Sequence, residues 1–147
     1  MKNFIKNILV IAFISFMLQY AWEYWQCGIF YKMPPQAIGS LMLSAVIGDV
    51  FITIALYLLL AFMNKDTDWI LKSWKSKEYI VMILYALFIS FYFESAALYS
   101  NRWAYSNAMP LFLKTGIGLL PVLQLIILLP LTFLISKNLM RRLSKKF

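Results

Sequence analysis

Four long apolar runs follow one another along the chain, and short polar stretches separate them. They cover about residues 5–25, 38–63, 79–99 and 111–135. A helix rises about 1.5 Å per residue, so about 20 apolar residues cross the roughly 30 Å of hydrocarbon in a bilayer. Each run has about that length, and no other segment does. The pattern predicts an all-α integral membrane protein, a four-transmembrane-helix bundle forming one domain over residues 1–147, with a basic tail at 136–147.

The composition agrees with this interpretation. Hydrophobic residues make up 63% of the chain and charged residues 14%, whereas about 25% of the residues in a soluble domain are charged. Such a chain cannot cover its apolar surface in water, so we expect membrane lipids as partners. The net charge of +8 does not indicate nucleic-acid binding, because the basic residues flank the apolar runs, and no nucleic-acid partner is predicted.

The basic residues are distributed unevenly among the polar segments. With four crossings, the N-terminus, the second connection (64–77) and the C-terminal tail all lie on one side, and that side is the cytoplasm by the positive-inside rule. The chain is therefore predicted to be a multi-pass protein of the inner (cytoplasmic) membrane, N-in/C-in. Eleven of the 14 lysines and arginines lie on that side, and three do not: Lys32, Arg102 and Lys114.

The sequence contains no histidine and one cysteine, Cys27. These facts exclude an internal disulfide, a CxxC redox pair, and any haem, zinc or copper site built on imidazole. They also exclude a Ser–His or Cys–His nucleophile pair. No cofactor and no metal are predicted, and any catalysis must use carboxylates, Lys, Arg, Tyr or Ser.

Three acidic residues, Glu23, Asp49 and Glu94, fall inside the apolar runs. A charge at the bilayer centre costs at least about 2.5 kcal/mol, whereas an inter-helix hydrogen bond in a membrane contributes only about 0.6 kcal/mol. Holding helices together is therefore a poor explanation for three acids. We predict that they are the catalytic residues of a functional site.

Helix geometry places these acids close to one another. Glu23 and Glu94 each lie about 22 Å from the basic side, and Asp49 lies near the midplane, level with Gln124. No basic residue is expected at the depth of Asp49, so we expect its carboxyl to be uncharged. Arg102 is expected to reach Glu94 or Glu23, or to hold an anionic headgroup. The predicted binding residues are Gln26, Arg102, Trp103, Tyr105, Lys114 and Gln124.

Two prolines interrupt the last run, and Pro121 stands between Gly116, Gly118 and Gln124. A proline inside a helix frees a backbone carbonyl about one turn earlier. In a membrane that carbonyl must be satisfied by protein or by water in a cavity. The sequence therefore predicts a kink at Pro121 and a polar cavity open to the outer side.

Three functions fit these features, and the sequence favours the first by a narrow margin over the two alternatives. The first is an enzyme that acts on a lipid or isoprenoid, with one membrane acid as a protonated general acid and aromatic rings stabilising a developing cation. The second is a proton- or cation-coupled small transporter that works as a homo-oligomer, with the acids as a relay. The third is a non-catalytic lipid-binding accessory subunit.

Overall fold

The computed structural model describes residues 2–145, and 76% of the protein is helical. Its four long helices are α1 (Lys2–Phe30), α2 (Ile38–Asn64), α3 (Ser76–Tyr99) and α4 (Leu119–Lys145). All four are long and apolar enough to cross a membrane, so the predicted set of four apolar helices is confirmed. Met1, Lys146 and Phe147 lie outside the described range, and the last two belong to the predicted basic tail.

Successive helices run in opposite directions, so the two ends of the bundle differ in character. The start of α1, the end of α4 and the loop of residues 65–75 lie at one end, called the terminal end. The other end carries residues 31–37 and 100–118 and is called the hairpin end. There β1 (Tyr31–Lys32) pairs antiparallel with β2 (Ala104–Tyr105), with Tyr31 opposite Tyr105.

The last helix begins later than the apolar pattern predicts. α4 starts eight residues after Leu111, and residues 111–118 instead form a loop closed by a bridge between Leu111 and Gly118. Gly116 has a φ of +74°, a conformation that a right-handed helix excludes and that glycine tolerates. Pro121 therefore lies in the first turn of α4, where a missing N–H costs no helical hydrogen bond. The predicted kink at Pro121 is wrong.

The helices pack unequally, and this leaves one side of the bundle open. α1 packs along α2 on one side and along α4 on the other, and α3 packs along α4. α2 and α3 make little contact, so a cleft separates them. The outer faces carry large apolar side chains, and Phe62 for example is 82% exposed. Outward-facing apolar residues of this kind match a lipid solvent.

The loop at the terminal end closes that end of the bundle. Trp69–Leu71 form a short 3-10 turn, and Trp69 and Ile70 are buried. The ring of Trp69 packs edge-on against Phe133, with centroids 5.5 Å apart. Its indole N–H donates to the carbonyl of Tyr57 at 3.2 Å. The loop is thus packed onto α2 and α4 at the terminal end.

Candidate functional site

A cavity of about 240 Å³ lies in the cleft between α2 and α3, toward the hairpin end. α2 lines it with the small residues Ser44, Ala45 and Gly48, and a Cβ added to Gly48 would meet nothing within 4 Å. Ser44, Gly48 and Phe93 of the lining are also exposed on the outside of the bundle. The cavity therefore opens sideways between two helices. Its polar lining includes Glu23, Ser90, Glu94, Asp49, Arg102 and Gln124.

The three acids singled out in the sequence line this one cavity from three different helices. Glu23 on α1 and Glu94 on α3 are buried, with 6% and 7% exposure, and Asp49 on α2 is half-buried. None of the three forms an ion pair within the described part of the chain, where the ion pairs are Lys72–Asp66 and Lys77–Glu78 at the terminal end. The cavity thus concentrates carboxyl groups that have no basic counter-ion.

Side-chain amide groups hold the acids in place. The indole of Trp22 determines which end of each amide donates its hydrogen bonds. The Nε1–H of Trp22 donates to Oε1 of Gln26 at 2.9 Å. An indole N–H can only donate, so the Nε2 group of Gln26 must face away from it, where it donates to Oε1 of Gln124 at 2.9 Å. That contact in turn points the Nε2 group of Gln124 toward the acids. Gln124 lines the cavity and Gln26 contacts it from α1, and the binding role predicted for both stays a prediction.

The Nε2 group of Gln124 has more acceptors than hydrogens. It lies 2.8 Å from Oε1 of Gln19, 2.9 Å from Oε1 of Glu23 and 3.0 Å from Oδ2 of Asp49. An amide nitrogen carries two hydrogens, so only two of the three contacts are full hydrogen bonds at one time. Gln124 therefore links α1, α2 and α4 at a single atom, and one of its three acceptors, Oε1 of Glu23, has a second donor in Nε2 of Gln26.

Glu23 has further donors of its own. Gln26 Nε2 donates to its Oε1 at 3.1 Å, and the thiol of Cys27 donates to its Oε2 at 3.1 Å. The sequence pattern gave no role to Cys27 or Trp22. Cys27 lies four residues from Glu23, and Trp22 lies four residues from Gln26. Residues four apart share a helix face, so this spacing was the available signal.

Glu94 is surrounded by aromatic donors from the hairpin end. The hydroxyl of Tyr105 donates to it at 2.5 Å, and Tyr31 and Trp103 approach it at 3.5 Å. The β1–β2 pairing sets Tyr31 beside Tyr105, with ring centroids 5.6 Å apart. Burial, followed by the charge of the neighbouring Glu94, raises the pKa of both tyrosines, so both phenols remain protonated donors at neutral pH. Trp103 and Tyr105 were predicted as binding residues, whereas Tyr31 was missed.

Neither of the two basic residues predicted for the site pairs with one of the three acids. Arg102 lines the cavity but forms no ion pair with Glu94 or Glu23. Its guanidinium donates to the hydroxyl of Ser44 at 3.4 Å and lies 5.1 Å from the ring centre of Trp103. Lys114 is exposed in the loop of residues 111–118 and takes no part in the cavity lining. Lys114 was expected near the start of the last helix. That prediction is wrong, because the helix begins at Leu119.

The chemistry that this arrangement can support follows from its donors and acceptors. Among the described residues, no group of three or more Cys, Asp or Glu side chains is placed to hold a metal ion. The cavity instead offers carboxyl oxygens, the aromatic rings of Tyr31 and Trp103, and apolar side chains such as Phe93. Carboxylates and aromatic faces both attract positive charge. The site therefore suits proton transfer to a ligand and stabilisation of the cation that results.

The contacts of Glu94 generate a prediction about energetic coupling. In a double-mutant cycle, Tyr105→Phe and Glu94→Gln should show an interaction energy of at least about 0.5 kcal/mol, because their side chains share a hydrogen bond. Arg102→Gln and Glu94→Gln should instead add to within about 0.5 kcal/mol, since the two groups form no ion pair. The measurement is the free energy of unfolding in detergent. Strong coupling in the arginine cycle with none in the tyrosine cycle would contradict the described geometry.

Comparison of the chain with protein-family models, with curated proteins and with solved structures gave no match. Function must therefore be inferred from the contacts within the cavity.

Proposed function

We propose that this protein is a membrane-embedded enzyme that acts on a lipid or isoprenoid by acid–base chemistry of carboxyl groups. One observation carries the proposal. Three carboxyl groups from three helices meet at a cavity that opens sideways, and none has a basic partner among the described residues. Uncompensated acids are expensive in a bilayer. Their convergence on an open cavity is better explained by chemistry than by helix packing.

The position and size of the opening favour a lipid substrate. Exposed residues at the opening, Ser44, Gly48 and Phe93, face outward between α2 and α3, so a ligand dissolved in the bilayer reaches the acids without crossing water. The cavity volume of about 240 Å³ is below the roughly 300 Å³ of the smallest drug-sized pockets. It would therefore hold the reactive segment of a long molecule while the rest remains among the lipids.

We propose a different role for each acid, and the hydrogen bonds support it. Glu23 and Glu94 are each contacted by several donors, and an ionised carboxylate, which only accepts, matches such surroundings. Asp49 shares one donor, Gln124 Nε2, with two other oxygens. Asp49 is therefore the group expected to carry a proton and to act as the general acid. Glu23, behind Gln124, is a positioning residue.

The proposed reaction is protonation of a carbon–carbon double bond. The O–H bond of Asp49 breaks, a C–H bond forms, and positive charge develops on the neighbouring carbon. The carboxylate of Glu94 and the rings of Tyr31 and Trp103 lie around that position and would stabilise the cation. Loss of a proton from an adjacent carbon to a carboxylate then completes an isomerisation or a cyclisation, with no net consumption of protons.

The orientation proposed for the protein follows from its charges. Eleven of the 14 basic residues belong to segments at the terminal end, so we place that end in the cytoplasm and the hairpin end outside, in the cell inner membrane. The cavity then lies toward the outer leaflet. A substrate in that leaflet would enter between α2 and α3.

Exchange of solvent deuterium into lipids tests the proposed chemistry across all the lipids of the host at once. The protein is incubated in D₂O with a lipid extract from its host, and the lipids are analysed by mass spectrometry. The native protein should place deuterium on carbon in one lipid or isoprenoid species. Asp49→Asn should abolish this incorporation while leaving the melting temperature nearly unchanged, because an amide mimics the neutral acid in size.

Asp66→Asn is the matched control, since Asp66 lies in the loop at the terminal end and pairs with Lys72. It should leave the incorporation unchanged. Full activity in Asp49→Asn, or no incorporation into any lipid by the native protein, would refute the proposed reaction.

Reporter fusions test the proposed orientation. A fusion after residue 107, in the hairpin-end loop, should read as periplasmic, and fusions at residue 70 and at the C-terminus should read as cytoplasmic. The physical reason is the cost of moving lysine-rich segments across the membrane. A cytoplasmic reading at residue 107 would be incompatible with this orientation.

A further inference from the structure

Two basic side chains of α4 lie side by side at the terminal end. Lys137 and Arg141 are four residues apart, so they share one face of the helix. Both reach the loop of residues 65–75. The ammonium of Lys137 donates to the carbonyl of Lys72 at 2.6 Å, and the guanidinium of Arg141 donates to the carbonyl of Leu71. The loop thus holds two positive groups next to one another.

Neither cation forms an ion pair with a carboxylate of the described residues. The acids of the terminal end have partners elsewhere. Asp66 and Glu78 each form an ion pair with another lysine, and Asp68 accepts a hydrogen bond from a side-chain amide of α1 at 2.9 Å. Like charges four residues apart on a helix repel each other. An anion bound between the two cations would offset this repulsion.

Both side chains keep hydrogen-bond donors for such an anion. An ammonium group has three N–H donors and a guanidinium has five, and each side chain uses one described hydrogen bond to a loop carbonyl. Arg141 is exposed and Lys137 is half-buried, so a ligand can reach the pair from outside the bundle. Phosphate oxygens form short, charge-assisted hydrogen bonds with lysine and arginine. The pair therefore suits one phosphate group.

The depth of the pair matches that of lipid headgroups. Because α4 begins at Leu119, Lys137 lies about 27 Å along the helix, close to the roughly 30 Å of hydrocarbon in a bilayer. The ammonium of Lys137 lies 4.9 Å from the ring centre of Trp74, and the indole N–H of Trp74 donates to the carbonyl of Ile70 at 3.1 Å. Tryptophan is enriched at the membrane–water interface, so the ring and the cations both fit that level.

The same face of α4 is apolar on the side toward the hairpin end. Leu134, Pro130 and Ile127 precede Lys137 at intervals of three or four residues, so they continue its face along the helix. Leu134 and Ile127 are each 46% exposed. A cationic pair that continues into an exposed apolar stripe matches a molecule with an anionic head and a long hydrocarbon chain. A free anion would use only the pair.

We propose that Lys137 and Arg141 bind the phosphate of an anionic phospholipid whose chains lie along α4 over Leu134 and Ile127. The head must carry a net negative charge, because a zwitterionic head would bring its own ammonium group toward the two cations. A lipid that binds only the folded protein stabilises it. The site lies at the opposite end of the bundle from the opening of the cavity, and it does not depend on the proposed reaction.

Lipid titration followed by native mass spectrometry tests the site. The protein is first washed free of phospholipid in detergent and then given phosphatidylglycerol or phosphatidylcholine with the same chains. The native protein should bind one phosphatidylglycerol more tightly than any phosphatidylcholine. The double variant Lys137→Gln with Arg141→Gln should bind phosphatidylglycerol about 30-fold more weakly, since each cation near a membrane surface contributes about 1 kcal/mol and about 1.4 kcal/mol is tenfold. Glutamine keeps an amide that can donate to the loop carbonyls.

The matched control is Lys6→Gln with Lys65→Gln. It removes the same charge from the same end, at exposed lysines whose side chains form no ion pair among the described residues, and it should leave the affinity unchanged. Equal weakening in this control would show attraction by net charge alone and would overturn the proposal. Equal affinity of the native protein for phosphatidylcholine would overturn it as well.

The melting temperature of the native protein gives a second test that needs no variant. Phosphatidylglycerol should raise it, and glycerol phosphate at the same concentration should not, because it lacks the chains that would contact Leu134 and Ile127. No rise with phosphatidylglycerol, or an equal rise with glycerol phosphate, would contradict a lipid site. Asp49→Asn should bind phosphatidylglycerol like the native protein, so this site and the proposed reaction can fail separately.

Discussion

The side-chain amide of Gln124 joins three of the four helices at the depth where the acids lie. Its oxygen accepts from Gln26, and its nitrogen contacts Gln19 and Glu23 on α1 and Asp49 on α2. In hydrocarbon no water competes for these groups, so they must find partners in the protein. The contacts fix the register of α4 against α1, and that register brings Gln124 to the acids of the cavity.

The other half of the site depends on the loops at the hairpin end. α3 stands apart from α2, and Glu94 is contacted from the paired strands β1 and β2 by Tyr31 and Tyr105. Gly118 packs close to Met109 and Tyr105, where an added Cβ would come within 2.9 Å of the Met109 sulfur. The absence of a side chain at Gly118 therefore leaves room for the ring of Tyr105, whose hydroxyl contacts Glu94. The acids thus come from helices, and most of the aromatic walls come from loops.

The sequence predicted the features that helical periodicity and the cost of charge in lipid determine. The four spans, and the meeting of Glu23, Asp49 and Glu94 with Gln124, follow from counting residues along straight helices. The pairing of Arg102 with an acid, the position of Lys114 and the kink at Pro121 were wrong, because each depends on backbone conformations between the helices. The left-handed glycine in the loop of residues 111–118 and the pairing of the two-residue strands β1 and β2 have no hydropathy signal, so composition and spacing do not predict them.

The proposed function requires a lipid or isoprenoid to occupy the cavity between α2 and α3. Mass spectrometry of the purified native protein should find one such molecule retained per chain. Gly48→Phe fills the cavity from α2 and should eliminate it, whereas Gly39→Phe should retain it, because Gly39 is equally uncrowded but lies outside the cavity. No retained ligand in the native protein, or equal retention in Gly48→Phe, would contradict the account.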